Sequence, residues 1–257
     1  MIRESLFDKV DLIYVSIKRL QTFEPAEGYY LAFSGGKDSI VIKKLADMAG
    51  VKYDAHYNVT TIDPPDLVKY IRQYHKDVIF ELPEKSFFNK LVQKGFPQRH
   101  RRWCCEYLKE GGGAGRRVIT GVRWAESQQR SKRKTVEHCT KDASKIYINP
   151  IIDWTDEDVW EFIKINKMPY CKLYDEGWKR IGCLLCPMAG KHRLVEAERY
   201  PKYIEAFKRA FVKLYNKRQA EGKTSVDRWK NGEEMFIWWM NEDRVQADDP
   251  DQQVMFE

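Results

Sequence analysis

Residues 29–39 read Tyr29-Tyr30-Leu31-Ala32-Phe33-Ser34-Gly35-Gly36-Lys37-Asp38-Ser39. Tyr29 to Phe33 is a short apolar run with the length of a buried strand. The segment from Asp38 to Met48, with Ile40, Val41, Leu45 and Ala46 at helical spacing, predicts a helix. A strand, a glycine turn and a helix start together aim free backbone N–H groups, and the positive end of a helix dipole, at an anion. Gly35 and Gly36 admit dihedrals closed to other residues and let the backbone come close to an oxygen. Lys37 adds a positive charge, and Ser34 and Ser39 add hydroxyl donors. The stretch reads as a phosphate cradle, and it sets the expected fold class: α/β, a doubly wound and mostly parallel sheet. It does not match the common NTPase loop, because Leu31 stands five positions before Gly36 and Asp38 follows Lys37.

On the N-terminal side, residues 2–22 predict an amphipathic helix with Leu6, Val10, Ile13, Ile17 and Leu20 on one stripe. On the other side, Val51–Val59 alternates like a second strand and ends in Thr60-Thr61-Ile62-Asp63-Pro64-Pro65. Ligands of doubly wound sheets sit off the carboxyl ends of strands, which places Thr60, Thr61 and Asp63 near the cradle as partners for ribose, phosphate or a metal. The same residues also read as a helix start, with Asp63 as cap and Pro64 in the first turn. Val78–Leu82, Arg117–Gly121 and Ile146–Ile152 predict further strands, Ser86–Lys94 a helix, and Thr155 caps another helix over an acidic first turn. The strand ending at Gly121 opens into Gly121-Val122-Arg123-Trp124-Ala125-Glu126-Ser127-Gln128-Gln129-Arg130, where Arg123 and Arg130 can pair with phosphate or sulfate oxygens. Residues 193–218 and 227–241 predict two aromatic-rich helices, and the acidic tail from Asp243 is expected to fray. The expected division is an N-terminal helix (1–22), a nucleotide-binding domain (23–190) and a C-terminal helical extension (191–257).

Composition bounds the partners. The 257 residues are 43% hydrophobic and 32% charged, with a formal charge of +7, which suits a polyanionic ligand. Clusters at Arg99–Arg102, Arg116–Arg117 and Arg130–Lys134 supply much of that excess, and each by itself reads as a solvated face. Apolar runs are too short for a membrane helix, and no signal-peptide core opens the chain, so a cytoplasmic protein without membrane partners is expected. Six cysteines in that setting argue against a disulfide framework.

Four of those cysteines form a second constellation: the tandem Cys104-Cys105, and Cys183-Leu184-Leu185-Cys186. Thiolates are the ligands that iron–sulfur clusters and zinc prefer. The pairs are separated by the whole of residues 106–182, so any site they share is assembled by the fold and not by a local ribbon.

Ser-Gly-Gly-Lys-Asp-Ser resembles the pyrophosphate loop of the adenine-nucleotide α-hydrolase superfamily. That resemblance implies an ATP-derived ligand, with Ser34, Gly35, Gly36, Lys37, Asp38 and Ser39 on its phosphates, Mg²⁺ accompanying the nucleotide, and Lys37 and Asp38 as catalytic candidates. The tandem cysteines followed by Cys-x-x-Cys resemble the [4Fe–4S] site of assimilatory adenylyl-sulfate reductases, within the phosphoadenosine phosphosulfate (PAPS) reductase family. Zinc is the alternative. Gly121, Arg123, Glu126 and Arg130 lie in a stretch similar to that family's substrate loop. Gly-Val-Arg…Glu-Ser…Arg and Thr-Thr-Ile-Asp-Pro-Pro are similar to the DNA-phosphorothioation sulfurtransferase and phage reductase-like branch.

Reductases of the family carry a catalytic cysteine in a C-terminal Glu-Cys-Gly motif, and no cysteine follows Cys186 here. The resemblance therefore implies ATP cleavage to AMP and pyrophosphate in the service of sulfur transfer. The alternatives are a sulfonucleotide reductase releasing sulfite and a non-catalytic nucleotide- or nucleic-acid-binding subunit. Expected partners are an adenine nucleotide, a nucleic-acid substrate, a sulfur-donor or thiol-reductant protein, and a second copy of the chain.

Overall fold

The computed structural model describes residues 1–4 and 9–247. Its strands are β1 Ile2–Glu4, β2 Lys9–Asp11, β3 Tyr29–Ala32, β4 Tyr53–Asn58, β5 Ile79–Glu81, β6 Arg117–Ile119, β7 Val136–His138 and β8 Ile146–Ile148. Its α-helices are α1 Leu12–Thr22, α2 Lys37–Ala49, α3 Pro65–Tyr74, α4 Phe87–Lys94, α5 Trp103–Leu108, α6 Asp156–Ile165, α7 His192–Arg199, α8 Pro201–Ala220 and α9 Gly232–Ala247. They group into two compact units interleaved along the sequence. The first takes Met1–Val59, Pro64–Leu82 and Gly111–Ile181; the second takes Thr60–Asp63, Pro83–Glu110 and the described residues from Gly182 onward.

The first unit holds a six-stranded sheet in the order β5-β4-β3-β6-β8-β7, parallel except where the edge strand β7 runs antiparallel to β8. The expected α/β class and mostly parallel sheet are therefore observed. Tyr29, Tyr30 and Leu31 are buried in the central strand, so both faces of β3 are covered. From β3 the chain passes through α2 to β4 on one side, while β6 lies on the other. The carboxyl ends of β3 and β6 thus flank the point where strand order reverses, which is where open α/β sheets bind ligands. Ser34–Gly36 leave β3 there, and the segment from Thr120 leaves β6.

Gly35 adopts φ +72°, and a Cβ at this position would lie 2.7 Å from Ile71 Cδ1 and 2.8 Å from Leu67 Cδ1 on α3. Both the left-handed backbone and the packing require glycine. Gly35→Ala should cost about 1–3 kcal/mol through strain and displaced side chains, read as a lower urea midpoint at unchanged slope.

The N-terminal expectation of a helix over 2–22 is corrected. Ile2–Glu4 and Lys9–Asp11 form an antiparallel pair, with Ile2 opposite Asp11, and Leu6 lies outside the described residues. The Asp11 carboxylate accepts from the N–H groups of Ile13 and Tyr14, so the helix begins at Leu12. Pro64, not Asp63, is the cap of α3, and Pro65 occupies its first turn. Asp63 instead accepts from the Thr60 N–H at 2.7 Å and closes a turn. The helix expected over 193–218 is broken between α7 and α8, because Pro201 brings no N–H and Tyr200 leaves helical geometry at φ −127°, ψ 62°. The last helix starts at Gly232 and not at 227; residues 243–247 end it, while the rest of the acidic tail, 248–257, lies outside the described residues.

The second unit is helical and built on aromatics. Phe87, Leu91, Phe207, Phe211, Leu214, Trp229, Phe236 and Trp239 are all buried in one cluster. Phe207 stacks on Trp239 with centroids 5.7 Å apart, and Phe96 stacks on Phe211 at 5.4 Å. The aromatic spacing of the sequence is thus core packing. Short α5 and edge strand β7 carried no periodic signal.

Candidate functional site

The cradle is built on the first turn of α2. Gly36 is its N-cap and supplies no side chain, so the orphan N–H groups of the turn are left to other partners. The Ser39 hydroxyl donates to Gly36 O at 2.9 Å, the Ser34 hydroxyl lies 3.2 Å from that of Ser39, and Gly36 N–H reaches Ser34 Oγ at 3.4 Å. These bonds shape the turn. The N–H of Lys37 donates to the phenol oxygen of Tyr174 at 2.9 Å, and burial pushes that phenol's pKa up, so it stays neutral. A neutral oxygen therefore sits where the helix terminus favours an anion.

Lys37 has a side chain only 8% exposed, with Nζ 3.5 Å from Asp156 Oδ1 and 3.8 Å from Asp38 Oδ2. Between the two carboxylates lies Arg123, buried to 1%: Nε donates to Asp38 Oδ1 at 2.7 Å, Nη2 to Asp156 Oδ1 at 2.5 Å, and Nη1 to Trp154 O at 3.2 Å. Burial pushes the Asp38 carboxyl up, against the charges of Lys37 and Arg123 and with a further push from Glu126. At Asp156 burial also raises, but the Arg123 hydrogen bond and the Lys37 charge outweigh it and hold the carboxyl low. Two cations and two anions close on themselves, and only Lys37 has a mobile head that can turn to an incoming phosphate.

The loop after β6 falls beside this network. A Cβ on Gly121 would meet Asp38 Cβ at 2.9 Å, so this glycine lets the strand end approach α2. Glu126 accepts from Arg123 N–H at 2.9 Å and pairs with Arg130. Ser34–Ser39, Gly121, Arg123, Glu126 and Arg130 are brought together in the first unit. Arg123 is a positioning group here, its guanidinium already committed to carboxylates. Asp156 was legible only as a first-turn acid of a capped helix, and Tyr174 had no signal in the sequence.

Thr60, Thr61 and Asp63 belong to the second unit and contact its thiol segment. Thr61 is strained at φ 64°, and its hydroxyl accepts from the Phe87 N–H at 2.9 Å at the start of α4. The Cys183 thiol lies 3.5 Å from Thr60 Oγ1, and Leu184 N–H donates to Ile62 O at 2.8 Å.

The four thiols are grouped in this unit. The Cys104 thiol donates to Cys105, which raises Cys104 and lowers Cys105, and Cys183 and Cys186 add their charges against Cys104. Arg102 and Lys109 also favour the Cys105 thiolate. Lys109 is held charged chiefly by Cys183, helped by Asp63. Burial raises Cys186, whose sulfur accepts from the Met188 N–H. Leu185, between the paired cysteines, takes φ 54°, the αL geometry that turns a Cys-x-x-Cys segment. Four thiols with two cations to balance thiolate charge fit the donor chemistry of a sulfur-ligated centre. As they stand, no three Cys, His, Asp or Glu side chains among the described residues close around a single ion.

Glu196 supports the turn: its carboxylate is 3% exposed and accepts from the Leu185 N–H at 2.6 Å. Burial lifts its carboxyl from 4.5 to about 7, against the Leu185 hydrogen bond and Arg193. The folded chain keeps a proton that the unfolded chain releases, so this group's stabilisation is full below pH 4.5 and lost as pH rises through about 7. Glu196→Gln should flatten that dependence, by on the order of 2 kcal/mol between about pH 5 and about pH 8, measured as urea midpoints.

A parallel sheet with a glycine cradle at its switch point places the protein in the class of adenine-nucleotide α-hydrolase-like α/β folds. The chain belongs to the phosphoadenosine phosphosulfate reductase domain family, whose model matches residues 28–189. It is 33% identical over 193 residues to an uncharacterized protein of Methanocaldococcus jannaschii, covering 69% of this chain and 47% of that one. It is 29% identical to the adenosine 5'-phosphosulfate reductase of Oceanobacillus iheyensis, over 56% of this chain and 62% of the relative. The chain spans about half the length of the archaeal relative and just under two thirds of the reductase. In structure it is similar to the phosphoadenylyl-sulfate reductase of Candida auris in its phosphate complex, with TM-score 0.51 and 19% identity over 68% of this chain and 88% of that one, which supports the fold. Among the described residues no helix is long and apolar enough to cross a membrane.

Proposed function

We propose that the chain is an ATP pyrophosphatase-type enzyme serving sulfur transfer, of the phosphorothioation sulfurtransferase-like branch. The observation that carries this reading is the Ser34–Gly36 turn ahead of α2, with a buried lysine at the helix N-terminus and at the switch point of the sheet. ATP would arrive with Mg²⁺, its β- and γ-phosphates on the turn. An acceptor oxygen attacks the α-phosphorus, the bond from that phosphorus to the bridging oxygen of the β-phosphate breaks, and pyrophosphate leaves with the electron pair. AMP remains on the acceptor oxygen until a sulfur nucleophile from the donor attacks the activated acceptor atom. The bond from that atom to the oxygen breaks, and AMP leaves carrying the oxygen and the electron pair. Lys37 swings from Asp156 to the phosphates and offsets the charge that builds on the leaving group. Asp38 and Arg123 hold the loops in register, so that catalysis is mostly positioning and charge neutralisation. Tyr174 must give up the Lys37 N–H for a phosphate oxygen to take it.

Cys104, Cys105, Cys183 and Cys186 would hold a [4Fe–4S] cluster, which supplies a site to carry or activate sulfur. The acceptor is a nucleic acid or a small molecule, and the sulfur comes from a donor protein. A second reading is favoured by the likeness to an adenosine 5'-phosphosulfate reductase: release of sulfite from a sulfonucleotide, with a thiol-reductant protein.

The test is anaerobic purification followed by assay of AMP and pyrophosphate from ATP, and of sulfite from adenylyl sulfate with a dithiol reductant. AMP with pyrophosphate supports the proposal, sulfite supports the second reading, and neither product leaves a nucleotide-binding subunit. Iron and sulfide near four each per chain are expected, lost in Cys183→Ala/Cys186→Ala. Zinc near one per chain, without visible absorbance, would overturn the cluster.

A further inference from the structure

The second unit contains a recess of about 230 Å³ whose lining includes Lys94, Arg101, Trp103, Arg218, Arg228 and Trp229. Four of these carry positive charge and none is a carboxylate. Among the described residues Lys94, Arg101, Arg218 and Arg228 have no carboxylate within ion-pair distance; Arg218 is half-buried and the other three are exposed at the rim. Clustering like charges costs free energy unless an anion offsets it.

Two of the guanidinium groups are also held in place. The Arg228 guanidinium lies 4.0 Å from the Trp229 ring centroid and 4.4 Å from that of Trp238. Arg218 lies across Gly95, in the space a side chain would fill, and burial lowers its pKa with only Glu221 opposing. The backbone of Arg101, though not its exposed side chain, is set by a tight reverse bridge, with Gln98 and Arg101 exchanging backbone hydrogen bonds at 3.3 and 3.1 Å. Trp103 fixes the floor by donating its indole N–H to Gly95 O at 3.0 Å. Guanidinium groups preset in this way lose little freedom on pairing with a planar or tetrahedral oxyanion.

We propose that this recess is a second anion site, which takes a phosphate ester, either the backbone of a single-stranded nucleic acid or a free phosphomonoester. It uses residues 94–103 and 218–229 and none of the Ser34–Ser39 cradle, so it stands whether or not the nucleotide reading does. The basic run at Arg99–Arg102, read in the sequence as a solvated face, supplies one wall.

The test uses the full chain and a fluorescein-labelled single-stranded thymidine oligonucleotide, read by anisotropy over a salt series, with inorganic phosphate and AMP as competitors. Arg101→Gln and Arg228→Gln, both at exposed positions, should each weaken oligonucleotide binding about tenfold and reduce the salt slope by about one. Lys213→Gln, which removes an equal charge from an exposed position of α8, should leave binding unchanged, and Lys37→Ala should retain it. Binding of AMP and phosphate but not of the oligonucleotide, lost in the same two variants, would assign the site to a free phosphomonoester. Equal oligonucleotide and phosphate affinities in the wild type and both arginine variants would overturn the proposal.

Discussion

Lys37→Ala is expected to lower turnover of the nucleotide by about a hundred- to a thousandfold, with a smaller rise in KM. The lysine is the one cation at the cradle whose charge is not fastened by a short hydrogen bond, since its Nζ stands 3.5 and 3.8 Å from its two carboxylates. In the proposed reaction it would reach a phosphate without breaking a strong pair, and its effect would grow as charge develops on the departing pyrophosphate. Folding should suffer much less, because Arg123 still neutralises Asp38 and Asp156. Thermal unfolding close to wild type, together with the lost AMP formation, is the combined outcome to look for. Unchanged turnover would remove the cradle from the chemistry.

Arg123→Ala should instead act on stability, by about 3 kcal/mol. Its guanidinium is buried and makes three hydrogen bonds, two of them to carboxylates, and its removal leaves Asp38 and Asp156 facing each other with only Lys37 between. That cost lies at the low end of the range for broken buried pairs, because Asp156 is more than half exposed and water screens it. Arg123→Lys should recover only part of the loss, since an ammonium cannot span both carboxylates and the Trp154 carbonyl. The pH dependence gives the check. In the variant both carboxyls take up protons more readily when folded than when unfolded, so the deficit against wild type should shrink as pH falls through the carboxylate range. A deficit independent of pH would mean that Arg123 contributes packing alone.

The cradle and its sheet were legible because local signals agree there. An apolar strand, two glycines and a helix of the right period occupy one short stretch, so no distant contact was needed to read them. The network behind it was not legible. Arg123 in the sequence is a basic residue in a polar loop, available for phosphate, and only the fold, by bringing Asp38 and Asp156 to either side, turns it inward. Thr60, Thr61 and Asp63 show the same limit. Their position after β4 was correct, yet their hydroxyls and carboxylate serve backbone donors and the Cys183 thiol, choices made by tertiary neighbours. At the N-terminus a helical stripe over 2–22 lost to the Asp11 cap, a short-range competitor that periodicity does not weigh. The break before Pro201 was readable from the proline itself, and helical spacing on both sides concealed it.

The interleaving of the two units has a consequence for how the chain is made. Cys104 and Cys105 leave the ribosome long before Cys183 and Cys186, and the helices that wall the thiol group, α8 and α9, come later still. The contacts that close this unit span more than a hundred residues, so loop-closure entropy delays them until most of the chain has emerged. During synthesis the early pair is therefore exposed in an unfinished unit, open to oxidation or to capture by stray metal. Gathering of the four thiols becomes a late event, timed by the appearance of the C-terminal helices. An early stop ahead of α8 would spare the residues of the nucleotide cradle and deprive the four cysteines of the core that gathers them.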